Sequence, residues 1–296
     1  MRLLSLLKAK FSQINSIELR IQKIQEAVGR IETRQLAKIN NAELEKNEFK
    51  VYSQWGEDGI IQHLLRHIHV EKKIFVEFGV ENYTESNTRF LLVNNNWSGI
   101  VIDGSEENIK YIKNDPIYWQ HNLKAENAFI TKENINDLLV KYGVTGDIGI
   151  LSVDIDGNDY WVWDAINVIN PAIVIVEYNA RFGSDKAVTI PYQAEFARSK
   201  GHYSMIYWGA SLKAFCLLGN KKGYAFVGCN SSGINAFFIR RDLKPGEIKE
   251  LKPEEGYIKS QCRDSRDKMG NLNFLSFEQE QKILYSLPIV DVSEVA

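Results

Sequence analysis

From residue 50 onward the chain alternates short β-branched, apolar runs with longer stretches of helical pattern, and no other feature restricts its fold so strongly. The runs are Ile74–Gly79, Gly99–Asp103, Asn127–Ile130, Ile148–Asp154 and Ala172–Glu177. The first four are followed by helical stretches at Glu85–Val93, Glu106–Lys113, Lys132–Tyr142 and Asp159–Ile169. Strands alternating with helices specify a largely parallel sheet with helices packed on it. After the fifth run comes an irregular stretch from Ala180 to Gly209, then a helical segment over Ser211–Leu218. Tyr224–Cys229 and Ala236–Arg240 flank a Ser231-Ser232-Gly233 turn and predict a hairpin. The expected fold is α/β: a Rossmann-like, doubly wound, mostly parallel seven-stranded sheet with a terminal antiparallel hairpin strand. That domain spans 49–242. It is preceded by an amphipathic helix within 1–48 and followed by an extension over 243–296 with one helix near Phe277–Leu287.

In doubly wound sheets ligands sit outside the carboxyl ends of the strands, so the polar residues that end successive strands belong together. Here the first strand ends in Glu77-Phe78-Gly79, the second in Asp103-Gly104-Ser105, the fourth in Asp154-Ile155-Asp156-Gly157 and the fifth in Glu177-Tyr178-Asn179. Gly79 lets the backbone approach a ligand closely, and Glu77 can accept from an ammonium. Asp103 stands where an acid receives ribose hydroxyls in dinucleotide binders. The rest of the GxGxxG pattern is missing, because Glu81 and Thr84 occupy the positions of its second and third glycines. Glu81 would repel a pyrophosphate, which argues against a nicotinamide-dependent oxidoreductase. A ligand with a sulfonium and an ammonium suits the same acids.

Four segments, Phe75-Val-Glu-Phe-Gly-Val80, Glu85-Ser-Asn-Thr88, Gly99-Ile-Val-Ile-Asp-Gly104 and Ser152-Val-Asp-Ile-Asp-Gly157, resemble the FkbM-type S-adenosylmethionine-dependent methyltransferases in order and spacing. Upstream, Tyr52-Ser-Gln-Trp-Gly-Glu-Asp-Gly59 is similar to the SQ-x-GED-type segment of that family, and the resemblance covers roughly residues 52–240. Five βα units closed by a hairpin is also the strand sequence of a class I methyltransferase. The resemblance implies methyl transfer from S-adenosylmethionine to a hydroxyl of a sugar, glycan or other polar metabolite. It implies that Glu77 and Gly79 border the methionine part of the cofactor and that Gln54 and Asn87 reach its amino-acid end. Asp103, with Gly104 and Ser105, would hold the ribose, and Glu126-Asn127-Ala128 would flank the adenine. Two departures stand out. The family's Asp-x-Glu-Gly-x-Glu reads Asp154-x-Asp156-Gly157-x-Asp159 here, and Glu81-Asn82-Tyr83 replaces a glycine-rich first turn. The second departure motivates an alternative, a non-catalytic scaffold protein on a degenerate methyltransferase fold.

Two devices are candidates for removing the proton of the methyl acceptor. One is Mg²⁺ or Mn²⁺ held by hard oxygen ligands at adjacent strand ends, with Asp154, Asp156, Glu177 and Asn179 as the set and Asp154 also touching cofactor or substrate. The other is a general base, either a carboxylate or His202 in the 180–211 segment. That segment also holds Arg181, Tyr192, Arg198, Tyr203, Tyr207 and Trp208, residues that suit a lid over a sugar-like acceptor. His63 and His67 share a helix face with no acidic third ligand, which fits an amphipathic surface helix.

The N-terminal 48 residues lack Pro and carry Leu7, Ile14, Ile21 and Val28 at heptad position a, with Ile17, Ile24 and Ile31 at d. Isoleucine at both positions favours a coiled coil of three or more strands, so a homo-oligomer is expected; the alternative is a helix packed on its own domain. Leu3, Leu4, Leu6, Leu7 and Phe11 beside Arg2, Lys8 and Lys10 also suit peripheral contact with an anionic membrane. With 36 Lys and Arg against 38 Asp and Glu, the net charge of -2 leaves no overall basic field, so nucleic acid is not an expected partner. Three scattered cysteines make neither a disulfide framework nor a metal clip. With no apolar run of membrane-spanning length and no cleavable leader in the sequence, a cytoplasmic location is expected.

Overall fold

The computed structural model describes residues 2–39 and 43–294, without the side chains of 2–9, 11, 12 and 15. Helix α1 runs from Arg2 to Leu36 and α2 from Glu57 to His67. Then follow β1 (Ile74–Phe78), α3 (Arg89–Asn95), β2 (Ser98–Asp103), α4 (Glu106–Asn114), α5 (Pro116–Gln120) and β3 (Leu123–Asn127). Next come α6 (Ile135–Lys141), β4 (Gly146–Val153), α7 (Asp159–Ala165), β5 (Ile169–Glu177), β6 (Val188–Thr189) and α8 (Arg198–Gly201). The chain continues with α9 (Leu212–Lys221), β7 (Tyr224–Cys229), β8 (Asn235–Arg240), α10 (Pro253–Gly256), α11 (Phe277–Leu284) and β9 (Val290–Asp291).

Seven strands form one sheet in the order β3-β2-β1-β4-β5-β8-β7. The five from β3 to β5 are parallel, and β8 is antiparallel to both β5 and β7. This is the expected Rossmann-like fold. Residues alternate between two cores because a strand's side chains point to opposite faces. Val76, Phe78, Val174 and Val176 join Trp163, Phe215 and Phe238 on one face. Phe75, Ile173 and Ile175 join Ile60, Leu64 and Leu91 on the other. Each such side chain contributes roughly 1.5–3 kcal/mol when fully buried. Strand order reverses between β1 and β4, and the open crevice of this topology lies at their carboxyl ends.

Several expected boundaries move, two of them beside the crevice. The third strand is Leu123–Asn127, four residues earlier than the apolar run Asn127–Ile130 suggests. Leu123 and Ala125 are buried and pair in register with β2, whereas Asn127 Nδ2 and Ala128 N both donate to the Asp103 carbonyl and turn the chain across the sheet end. Helix α3 begins at Arg89 rather than Glu85, because the amides of Asn87 and Thr88 are drawn to the Glu77 carboxyl instead of into a helical turn.

Helix α1 docks on the domain through a face other than its heptad seam. Gln22 and Glu26 hydrogen-bond the Tyr52 hydroxyl, Gln25 reaches the Val51 carbonyl, and Gly29 is buried. A Cβ at Gly29 would meet Val51 Cγ2 at 2.3 Å, which accounts for a glycine inside this helix. The seam residues from Ile14 to Ile31 are exposed, from 49% at Val28 to 64% at Ile24, so the seam does not pack on its own domain. Leu7 and the apolar residues before it, with Phe11, lie outside the described side chains. No helix among the described residues is long and apolar enough to cross a membrane.

The extension after Leu243 holds more than its one expected helix. It contributes the short α10, helix α11 and strand β9, which pairs with β6. Leu284 of α11 packs with Phe182, Val188, Ile190, Phe196 and Trp208, so the 180–211 segment has a small core of its own.

Candidate active site

A cavity of about 460 Å³ opens at the carboxyl ends of β1, β2, β4 and β5. Gln54, Glu77, Gly79, Asn87, Asp103, Gly104, Ala128, Asp154, Asp156 and Glu177 all line it, so most of the residues singled out from the sequence come together.

The segment before β1 is built around two buried acids. Asp58 Oδ2 accepts from the amides of Val51, Tyr52 and Ser53 and from the Ser53 hydroxyl. Burial still pushes this carboxyl up to about 6. Glu57 accepts from Trp55 N on one oxygen and from the side-chain amides of Asn230 and Asn235 on the other. Gln54 sits between these anchors and is thereby presented to the cavity.

At the end of β1, Gly79 has φ +68°, and a Cβ there would lie 1.6 Å from the Asp154 carbonyl oxygen, so only glycine fits. The Glu77 carboxyl accepts from Asn87 N, Thr88 N and the Thr88 hydroxyl, and burial raises it to about 7. Its first role is to hold the 86–88 turn. The Asn87 side chain in turn donates to the Ser152 hydroxyl at 3.1 Å. At the end of β2, Asp103 is also partly engaged. Oδ1 accepts from Ser105 N at 2.8 Å and Asn108 Nδ2 at 3.2 Å, and Oδ2 accepts from Glu81 N at 2.8 Å. A carboxylate has about four lone-pair directions, which leaves Asp103 one, on Oδ2, rather than a pair for two hydroxyls. Gly104, Ala128, Phe129 and Ile130 make an apolar wall beside it.

At the ends of β4 and β5, the carboxyl of half-buried Asp154 lies beside that of buried Glu177. Burial, reinforced by the neighbouring acids Asp156 and Asp159, raises both well above the ordinary carboxylate range. Asp159 accepts from Ile155 N and Gly157 N and braces the loop after β4.

Several sequence expectations fail here. Asn179 is fully buried and fully engaged: Nδ2 donates to the carbonyls of Ile206 and Trp208, and Oδ1 accepts from Arg181 N. Asp156 pairs with Arg198 at 2.6 Å. With those two oxygen donors committed elsewhere, the four residues do not come together as a ligand set for Mg²⁺ or Mn²⁺. Among the described residues no group of three or more His, Cys, Asp or Glu could hold a metal ion. His202 does not line the cavity; its Nδ1 contacts the Ser204 hydroxyl at 2.6 Å. Ser105 caps α4 by accepting from Asn108 N, and the Asn127 side chain turns to the Asp103 carbonyl, so neither lines the cavity.

The structure adds Asn235 and Phe196, which sequence spacing did not single out, and brings Arg198 of the expected lid segment beside them; all three line the cavity. Asn235 is the register partner of Glu177, a relation set by hairpin pairing that no local motif encodes. Arg198 donates through Nε to the Met205 carbonyl, through Nη1 to Asp156 and through Nη2 to Asp264. Asp264 also pairs with the buried Arg181, which reaches Glu280 as well.

No protein-family model and no curated protein matches the chain. Among solved structures it is similar to the N-terminal domain of EvdMO1 with S-adenosylhomocysteine bound, at 11% identity, covering 71% of this chain and 94% of that one, with a TM-score of 0.40. A second is an S-adenosylmethionine-dependent methyltransferase from Clostridium acetobutylicum, at 11% identity, covering 70% and 98%, with a TM-score of 0.41. A third is TrmK of M. capricolum in complex with S-adenosylhomocysteine, at 10% identity, covering 66% and 74%, with a TM-score of 0.37. At such identities the functional reading has to rest on the residues of the cavity itself.

Proposed function

We propose that the protein is an S-adenosylmethionine-dependent methyltransferase that acts on a hydroxyl of a sugar or other polar metabolite. The observation that carries this reading is the corner where Gly79, pressed against the Asp154 carbonyl, meets Asp103, whose Oδ2 has one lone pair left beside an apolar wall. A backbone turn without a pyrophosphate cradle, acids on its rim and an apolar slot fit a nucleoside that carries a cationic amino-acid arm. When bound, that cofactor supplies an activated methyl group. Asp103 Oδ2 accepts a ribose hydroxyl, Gly104 and Ala128–Ile130 cover the base, and Gln54 and Asn87 stand at the amino-acid end. Asp154, beside the buried Glu177, takes the proton of the attacking hydroxyl. The protein's task is then mostly alignment and exclusion of water. The 180–211 segment, braced by Arg198 and Asp264, forms the wall toward the methyl acceptor. Self-association through the exposed α1 seam belongs to the same proposal.

Calorimetry with S-adenosylhomocysteine tests the reading. Micromolar binding is expected, and no binding by folded protein at about millimolar ligand, where affinity would be weaker than roughly 4 kcal/mol, would refute it.

A further inference from the structure

Three residues lining the cavity, Asn158, Glu177 and Asn235, each carry a buried acceptor atom without a hydrogen-bond partner, and two of these atoms, Glu177 Oε2 and Asn235 Oδ1, belong to adjacent strands. Both residues are more than nine-tenths buried, at 8% and 5% exposure. They face each other across the β5–β8 pairing, and both line the cavity. Leaving one such atom unsatisfied costs free energy comparable to a lost hydrogen bond, so a matched pair at a ligand cavity marks a place for donors.

The orientation of Asn235 is built from behind. Its Nδ2 donates to Glu57 Oε1 at 2.8 Å, and that oxygen also receives Asn230 Nδ2 at 2.7 Å. A carboxylate presents no donor in return, so the amide nitrogen is fixed on Glu57 and the amide oxygen is the end left over. Glu57 is itself pinned by Trp55 N and is fully buried. The hairpin loop is closed by Asn230 Oδ1, which accepts from Ile234 N and Asn235 N.

Charge narrows the ligand further. Seven of the residues lining the cavity are Asp or Glu and one is Arg. That arginine has its nitrogens on Met205, Asp156 and Asp264 and its plane 4.9 Å from the Trp208 ring. No lining cation is therefore open to a phosphate or carboxylate. A neutral polyol would satisfy the two acceptors but leave the acidic wall without a counter-charge, whereas an ammonium does both.

We infer that Glu177 Oε2 and Asn235 Oδ1 form a subsite for an ammonium group on the methyl acceptor, so that the substrate class is an amine-bearing polyol such as an amino sugar. The inference rests on the methyltransferase reading for the other half of the cavity and concerns anchoring, not the methylated atom.

The test uses the full-length protein saturated with S-adenosylhomocysteine and titrated with glucosamine, N-acetylglucosamine, glucose and glucose 6-phosphate. Glucosamine should bind at least about tenfold more tightly than the two neutral sugars, and the phosphate most weakly. Asn235→Ala and Glu177→Gln should each reduce glucosamine binding by about tenfold or more while leaving S-adenosylhomocysteine affinity within about twofold, which also certifies their folding. Equal binding of charged and neutral forms, none by any of them, or tightest binding of the phosphate would overturn the assignment. Failure of the wild-type protein to bind S-adenosylhomocysteine would instead overturn the methyltransferase reading, and this inference with it.

Discussion

Replacing Asp103 by Asn separates a ligand-binding acid from a merely structural one. The carboxylate is 8% exposed and accepts Ser105 N and Asn108 Nδ2 on one oxygen and Glu81 N on the other. An amide has one accepting and one donating end. Whichever way it turns, an N–H faces either Ser105 N or Glu81 N, and one backbone donor loses its partner. That costs about 1–3 kcal/mol. At roughly 2–4 °C per kcal/mol for a domain of this size, thermal unfolding should fall by several degrees without loss of the fold. The same change removes a hydrogen bond between a charged acceptor and a ribose hydroxyl, worth about 1.5–3 kcal/mol, or roughly a 10- to 150-fold loss of S-adenosylhomocysteine affinity. Asn108→Ala is the control, since it removes one brace from Oδ1 and leaves the charge and the free lone pair of Oδ2. Its affinity should stay within about threefold, a change below about 1 kcal/mol. Calorimetry of both variants decides the matter. If Asp103→Asn binds the ligand within about threefold of wild type while its unfolding temperature drops, Asp103 is only a loop brace and the cofactor site is wrongly drawn.

Three further outcomes are expected. Burial depresses His63 to about 4, and its Nδ1 faces an Arg66 donor, so the unfolded chain binds the proton more readily below 6.5. Stability present above that pH should be lost as pH falls from 6.5 toward 4, by about 3 kcal/mol, and His63→Gln should flatten the melting-temperature profile relative to wild type; parallel profiles would refute this. Ile17→Asp with Ile24→Asp should turn an oligomer into a monomer in sedimentation while barely moving domain unfolding, since both side chains are more than half exposed; an unchanged oligomeric state would exclude the seam. Asp264→Ala should leave S-adenosylhomocysteine affinity within about twofold, yet slow methyl transfer, because Arg198 and the buried Arg181 lose a shared partner; undiminished turnover would show that the brace has no part in catalysis.

The fold was legible where burial is two-sided. β1, β2, β4 and β5 are nearly continuous apolar runs, and their order left few topologies open. β3 was misplaced because it lies at the sheet edge, where only Leu123 and Ala125 are buried and Lys124 faces solvent, while the stronger apolar run Ala128–Ile130 crosses the sheet end instead. Acids at strand ends were legible as a group, since parallel topology must bring them together. Their individual duties were not. The same carboxyl and amide groups that bind ligands also satisfy loop amides, and Asn179, Ser105 and Asp159 proved to serve the loops. Asn235 was beyond reach because its orientation depends on Glu57, 178 positions earlier in the chain.

The pairing of β9 with β6, and of Val292 N with the Ala187 carbonyl, sets an order of assembly. Every strand of the parallel half is complete by Glu177, so that half can begin to collapse while synthesis continues. The wall on the other side of the cavity cannot. Arg181 waits for Asp264 and Glu280, and the small core around Phe182 waits for Leu284. A nascent chain paused before residue 264 thus leaves Arg181 without either acid and the apolar side chains around Phe182 uncovered beside a nearly finished sheet.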